Sequence, residues 1–291
     1  MSSRTVVCAG HVNWDVTLYV DRLPSPDGES VITDQVQSGG GSASNTAVVF
    51  AGLGLQPVLL GSVGDDRYAR LVRKELSDVG VDCTNLKRAS DGETTVKYLV
   101  VDEEGRVMVL ANEGANEAFA SGDLPEETLA GASHLHLTSQ RPRTAYELAR
   151  DAVAADIPVS FDPGRRLGAR DYGDVIRLAD VVFLNEEEAD TAREEGLLAE
   201  NDSMTVIKRG EGGAEAHVDG RTITHPGFEV DPVDTAGAGD AFAAGFLATR
   251  LDDGSIERAL EVGNACGALA VRSFGARTRL SASDVERYLD N

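Results

Sequence analysis

Asp234-Thr235-Ala236-Gly237-Ala238-Gly239-Asp240-Ala241-Phe242 runs a Gly/Ala-rich turn straight into an apolar-periodic helix. The first N–H groups of such a helix have no intrahelical partner, and its dipole adds positive potential at the same end. Small residues let a ligand approach closely, so the turn predicts an anion site suited to phosphate. Asp240 is out of place in a plain phosphate cradle, because a carboxylate repels the anion. It fits if it accepts a proton from an attacking hydroxyl while the phosphate lies on the amides. On this stretch alone, Asp240 equally fits a favourable charge at a helix N-terminus, and Asp234 a turn cap.

Working outward, short apolar runs alternate with helical patterns. Strands are expected at Thr5–Ala9, Pro57–Gly61, His134–Leu137, Pro158–Phe161, Val181–Leu184 and Thr205–Ile207. Helices are expected at Ala43–Gly54, Arg67–Val79, Ala145–Ala155 and Glu186–Glu194, and the chain from Ala238 on is mostly helical. Near-continuous apolar strands alternating with helices argue for a largely parallel sheet covered on both faces. Two segments, about 16–36 and 94–111, read instead as extended hairpins, the second turning at Glu103-Glu104-Gly105. Such insertions form either a small sheet over a site or an edge of the main sheet.

A second glycine-rich stretch, Gly39-Gly40-Gly41-Ser42-Ala43-Ser44-Asn45, also opens a helix. It lacks the Gly-Lys-Ser/Thr of a P-loop and the third glycine of a dinucleotide fingerprint. Its bare backbone and the amide of Asn45 suit a polyhydroxyl ligand.

Composition narrows the partners. The 49 acidic residues outnumber the 27 basic ones, for a net charge of −22. That field disfavours nucleic acid and anionic lipid. Only four of the basic residues are lysines (Lys74, Lys87, Lys97 and Lys208). An acidic, lysine-poor surface suggests adaptation to high salt, where the Debye length falls to about 3 Å at 1 M. Cys8, Cys83 and Cys266 lie far apart with no Cys-x-x-Cys, which fits a reducing cytoplasm. No apolar run reaches membrane-spanning length, and Met1-Ser2-Ser3-Arg4 lacks a signal-peptide core.

The two glycine-rich stretches, in this order and separation, resemble the two signatures of the ribokinase/PfkB family of carbohydrate kinases. The resemblance extends through Gly10-His11-Val12-Asn13-Trp14-Asp15, Gly61-Ser62-Val63-Gly64-Asp65-Asp66, Phe161-Asp162-Pro163, Asn185-Glu186-Glu187-Glu188 and Lys208-Arg209-Gly210-Glu211-Gly212-Gly213. It implies one α/β domain over 1–291, a three-layer sandwich with a mostly parallel sheet, and the two insertions as a β-lid. It implies transfer of the γ-phosphoryl group of ATP to a sugar hydroxyl, with Asp240 as base and the amides of Ala238 and Gly239, with Gly237, as anion hole. Asn13, Asp15, Gly40, Gly41 and Asn45 match residues that hold the sugar. Lys208, Gly210, Gly213 and Asn264 match the nucleotide side. Asn185 and Glu188 match an element that organises Mg2+ through water. Asp234 and the carbonyls near Ala236 and Gly275 resemble the K+ loop of some members. Some relatives form homodimers through the lid, for which Val96, Tyr98 and Val100 are candidates.

The sequence departs from simple ribokinases near the acceptor. Lys97 lies in the lid strand Thr94–Leu99, Ser139-Gln140-Arg141 follows the His134 strand, and Arg165-Arg166 follow Phe161-Asp162-Pro163. Lys97, Gln140 and Arg166 therefore point to an anionic acceptor, a sugar phosphate first and a 2-keto-3-deoxy sugar acid next. If these arginines instead pair with surface carboxylates, the acceptor is neutral. A nucleoside kinase, with Trp14 stacking on the base, is an alternative, as is a nucleotide-binding sensor without turnover.

Overall fold

The structure is a computed structural model that describes residues 4–198 and 203–290; Met1-Ser2-Ser3 of the N-terminal reading lie outside them. The main sheet starts with β1 (Thr5–Ala9), whose alternate side chains serve two cores. Val6 and Cys8 face one cluster, Val7 and Ala9 the other. A strand with such a two-sided burial is mostly apolar, which explains the near-continuous runs.

Nine strands form this sheet. β4 (Gln56–Val63) and β5 (Leu86–Arg88) lie on one side of β1. On the other side follow β8 (His134–Thr138), β9 (Val159–Asp162), β10 (Val181–Asn185) and β11 (Met204–Lys208), all parallel. Each expected strand is present, within one or two residues at its ends. The sheet closes with β12 (Ala214–Val218) and β13 (Arg221–His225), which pair antiparallel and were not anticipated. The Asp219-Gly220 turn between them has both φ values positive (50° and 69°), the geometry an Asp-Gly hairpin favours.

Helices cover both faces, giving three layers. One cluster packs α1 (Ser42–Gly52), α2 (Arg67–Asp78), α7 (Ala238–Leu251), α8 (Ile256–Ala270) and α9 (Ala282–Leu289). The other packs α3 (Glu126–Ala130), α4 (Pro142–Ala154), α5 (Gly173–Leu178) and α6 (Glu186–Glu194). Side chains such as Phe50, Phe161 and Phe183 are wholly buried, each favouring the fold by about 1.5–3 kcal/mol. Among the described residues no helix is long and apolar enough to cross a membrane, and the three cysteines are free thiols.

The two insertions build a separate four-stranded sheet from β2 (Asn13–Val20), β3 (Ile32–Gly40), β6 (Val96–Asp102) and β7 (Val107–Ala111), in the order β3-β2-β6-β7. Asp102 organises the β6–β7 turn by accepting bonds from the amides of Glu104 and Arg106 and from Arg106 Nε. β2 and β6 run parallel, so Asp15 neighbours Lys97, while antiparallel β3 sets Gly40 opposite Asn13. Simple alternation fails for one expected pair. Val96 is buried in the main core, whereas Tyr98 is exposed, as is the whole of β7.

Candidate active site

Four strands of the main sheet end on polar groups at the same edge: Thr138 on β8, Asp162 on β9, Asn185 on β10 and Lys208 on β11. Ligands of open α/β sheets bind at this carboxyl edge. The start of α7 reaches it. Gly237 holds a left-handed φ of 77°, and a side chain there would collide with the carbonyl of Ala276. Among the described residues the amides of Gly239 and Asp240 have no backbone partner, and that of Ala238 makes only a long 3.4 Å turn contact to Thr235. These are donors available to an oxyanion.

Asp240 stands on the first turn of α7 and Asn45 on that of α1, so two helix tips meet. Asn45 Nδ2 donates to Asp240 Oδ2 at 2.8 Å. Burial pushes the Asp240 carboxyl up to about 6, against the Asn45 bond that holds it down. A carboxylate with that affinity for protons is matched to accepting one near neutral pH. Beside it, Lys208 Nζ pairs with Asp162 Oδ2 at 2.6 Å, and a side chain at Gly239 would sit 3.3 Å from that ammonium. The charges of Asp162, Glu188 and Asp240 raise the Lys208 pKa against the cost of its burial, so it stays cationic at the helix tip.

The residues expected to hold the sugar lie on the lid strand β2, at the turn from β3 into α1 and just after β8. Asn13 Nδ2, Asp15 Oδ1, Asn45 Oδ1 and Gln140 Oε1 are buried without a hydrogen-bond partner among the described residues. An unmet buried polar atom costs about 1–3 kcal/mol. Four of them on residues singled out from sequence are what a polyhydroxyl ligand would satisfy. Gly40 leaves room for the Asp15 carboxylate, and Gly41 lets the chain pass against the backbone of His11. Asn116 fixes the floor, donating to Asn13 Oδ1 at 2.6 Å and accepting from Val12 N at 3.0 Å. Next to Asn116, Glu117 gathers His11 (2.9 Å), Arg166 (2.8 Å), Arg170 (2.7 Å) and, more loosely, Arg141 (3.7 Å).

The profile of the pfkB family carbohydrate kinases matches residues 3–283. The chain belongs to that family. This kinase is 52% identical over 288 residues, 98% of its own length and 97% of the other's, to the ATP-dependent ribose-1-phosphate kinase of Halopiger xanaduensis. It is 28% identical to the ribokinase of Bacillus subtilis, over 98% and 99% of the two chains. Its fold superposes on Arabidopsis thaliana ribokinase with a TM-score of 0.88 at 22% identity, over the full length of both chains. It is an ATP-dependent sugar kinase with the ribokinase-like fold.

Other expected positions in the kinase behave less simply. Asn185 and Glu188 do not both turn outward. They cap α6 reciprocally, Asn185 Oδ1 accepting from Glu188 N and Glu188 Oε2 from Asn185 N, both at 2.8 Å. Glu188 Oε1 is left over, on a side chain whose pKa is raised by burial and then by Asp162. Glu186 and Glu187 are exposed, the solvated face that such a run usually makes. Glu188, Asp162 and Asp240 outnumber the single ammonium of Lys208, so the donor set suits a cation. Among the described residues no three acidic, His or Cys groups form a cage, so Mg2+ would complete its shell with water and nucleotide oxygens, as a small hard cation prefers.

Asp234 spans two loops, accepting from Ala236 N at 2.9 Å and Gly275 N at 3.0 Å. Next to it, buried Arg277 donates to Glu75 Oε2 (2.9 Å), Ser44 Oγ (2.8 Å) and Gly40 O (3.3 Å). On the far side, Gly213 has φ 81° and packs where any side chain would strike the carbonyl of His225, whereas Gly210 faces open space. Asn264 donates to Leu260 O (2.8 Å) and touches His225 Nδ1 (3.2 Å). Trp14 is buried, stacked on Tyr68 at 5.9 Å and bonded to Gln37, so its ring is not open to a base.

Asp162, Asn116, Glu117, Arg170 and Arg277 were not among the expected site residues. Asp162 had a signal, the Phe161-Asp162-Pro163 match at a strand end. Glu117 had none, as one of 49 acidic residues in a loop.

Proposed function

We propose that this kinase phosphorylates a sugar that already carries a phosphate, with ribose 1-phosphate as the acceptor. The observation that carries the reading is Lys97. Its ammonium lies on the lid strand beside Asp15 with no carboxylate within ion-pair distance among the described residues, in a chain of net charge −22. Such a cation at an acceptor site suits an anionic substrate. The name of the Halopiger relative agrees in substrate class.

In this mechanism Asn13, Asp15, Gly40, Gly41, Asn45 and Gln140 hold the sugar hydroxyls, and Lys97 and Arg166 meet its charge. The hydroxyl to be phosphorylated points at Asp240, which takes its proton as the new P–O bond forms. The amides of Gly237, Ala238 and Gly239 and the ammonium of Lys208 compensate the charge on the transferred group. Preorganised donors of this type contribute about 3–4 kcal/mol each. Gly210, Gly213 and Asn264 flank the nucleotide. Mg2+ would be held through water by Glu188 and Asn185, and supplies charge neutralisation on the phosphates. Asp234, with carbonyls near Ala236 and Gly275, is the loop for a monovalent cation such as K+. Exposed Tyr98, Val107, Val109 and Leu110 on the lid support a homodimer through that sheet. The free cysteines favour the cytoplasm.

The test is ADP release with sugars, sugar phosphates, sugar acids and nucleosides in molar KCl. Ribose 1-phosphate is expected to give the highest kcat/KM. A neutral sugar or nucleoside exceeding every phosphorylated acceptor would refute the reading. Equal activity on ribose and its phosphates, unchanged in Lys97→Ala, would refute the role of Lys97.

A further inference from the structure

We infer that the acceptor's phosphate binds on a rack of arginines gathered around Glu117, next to Asn116 and Asn13, and that Glu117 is the residue that positions this rack. The inference rests on the acceptor being phosphorylated. Glu117 lies in the loop that also carries Asn116, the partner of Asn13, so it is tied to the sugar floor. Its carboxylate is largely buried and binds Arg170 through both oxygens, at 2.7 and 3.2 Å. Arg170 is held from behind as well, donating to the carbonyl of Gln140 at 2.9 Å. Arg166 spends a single N–H on Glu117 and Arg141 only a 3.7 Å contact, while both guanidiniums stay well exposed. Their remaining donors are available as the planar fork that phosphate oxygens fit.

Charge accounting gives the ligand class. Arg141, Arg166, Arg170 and Lys97 are cationic, and Glu117 and Asp15 are the carboxylates they face. His11 touches Glu117, and its pKa is lowered by burial and by the nearby charges of Arg166 and Lys97, so it adds no charge at neutral pH. The cations of Arg141, Arg166, Arg170 and Lys97 outnumber the carboxylates they pair with or neighbour, and this excess is opposite in sign to a phosphate monoester, about −1.5 to −2 near pH 7. Among the described residues Arg141 and Arg166 have Glu117 alone within ion-pair distance, and Lys97 has no carboxylate there. The turn after β9 also divides two sites. Arg165 acts on Glu188, at the nucleotide side, while Arg166 faces Glu117 and His11.

Ribose 1-phosphate, ribose and MgATP can each be titrated separately into the wild type, Arg166→Gln and Glu117→Gln, following the emission of Trp14, the only tryptophan, on the strand that carries Asp15. The wild type is expected to bind ribose 1-phosphate at least tenfold tighter than ribose. Each variant should lose about ten- to a hundredfold in affinity for ribose 1-phosphate, as removal of one charge-assisted bond predicts. The loss for ribose should be at least tenfold smaller. In turnover, the loss should appear in KM for ribose 1-phosphate more than in kcat, and Arg166→Lys should restore less than half of it because the fork is absent. A wild type that binds ribose as tightly as ribose 1-phosphate would sink the phosphorylated-acceptor reading itself. A wild type with the preference, and either variant that keeps it, would leave that reading standing and overturn the rack. So would a loss confined to MgATP. Arg166 is exposed enough that Arg166→Gln remains a fair test if Glu117→Gln does not fold.

Discussion

Replacing Asp240 by asparagine separates a catalytic carboxylate from a structural one, because the two predict opposite effects on stability. Asp240 is pushed up to about 6 chiefly by burial, from a model-peptide value of 3.8. The raised value means that the folded state holds the charged form at a cost. At about 1.4 kcal/mol per unit, ionised Asp240 costs the fold up to about 3 kcal/mol at pH 7. Asparagine keeps the shape and an oxygen for Asn45 Nδ2, and removes the charge. Asp240→Asn is therefore expected to be as stable as the wild type or more so, by up to about 3 kcal/mol, in denaturant titrations at pH 7. The gain should shrink as pH falls through 6 and vanish below about pH 3, where the wild-type group is neutral in both states. Meanwhile kcat should fall about 10²–10⁴-fold with both substrates saturating, the usual worth of a general base. A wild-type acid limb in kcat/KM near pH 6 belongs to the same account. If the variant were clearly less stable at pH 7, Asp240 would be acting as a favourable helix charge. If it kept more than a tenth of kcat, it would not be the base.

Gly237→Ala introduces a side chain at φ 77° against the carbonyl of Ala276. It should displace the helix tip and lower kcat at least tenfold, with a loss of about 1–3 kcal/mol in stability by chemical denaturation. Lys208→Met removes the ammonium between Asp162 and Glu188. It should cost about 3–5 kcal/mol in denaturant titrations, the penalty for an unpaired buried charge. Unaltered stability would mean that water reaches the pair. Ser160 Oγ lies 2.8 Å from both His134 Nε2 and His136 Nδ1, and burial holds both imidazoles down at about 3. These histidines are neutral when folded and protonate when unfolded, so stability should fall as pH drops from about 6.5 toward 3. Ser160→Ala should lower the unfolding free energy by about 1–3 kcal/mol in denaturant titrations without a change in the pH profile of kcat.

The strands were legible because a strand buried on both faces is mostly apolar, and Val181–Leu184 stands out for that reason. The helix tips were legible because Gly237 and Gly41 occupy positive-φ positions that other side chains rarely adopt. The β12–β13 hairpin was missed although Asp219-Gly220 announces it, since its flanking strands are half polar at a sheet edge. The acceptor contacts split in the same way. Asn13, Asp15 and Asn45 follow local patterns, whereas Glu117 and Arg277 act at sequence separations of 53 and 237 residues from Arg170 and Gly40. Nothing local marks a carboxylate or a guanidinium for such a partner. The Asn185–Glu188 pair shows the converse. Its three-residue spacing matches the family's Mg2+ element but is also that of a capping box, and the two groups bind each other.

Arg277 and Asp234 fasten the triple-glycine turn, through the Gly275–Ala276 loop, to the residues that open α7. On the proposed mechanism, the parts that grip the acceptor and the parts that receive the phosphoryl group share one rivet near residues 275–277. A redesign that grafts a foreign acceptor loop onto this scaffold, or trims its last thirty residues, changes both halves of the machine together. Loop exchange between such kinases should be planned with the segment around residues 234 and 275–277 as part of the transplanted module.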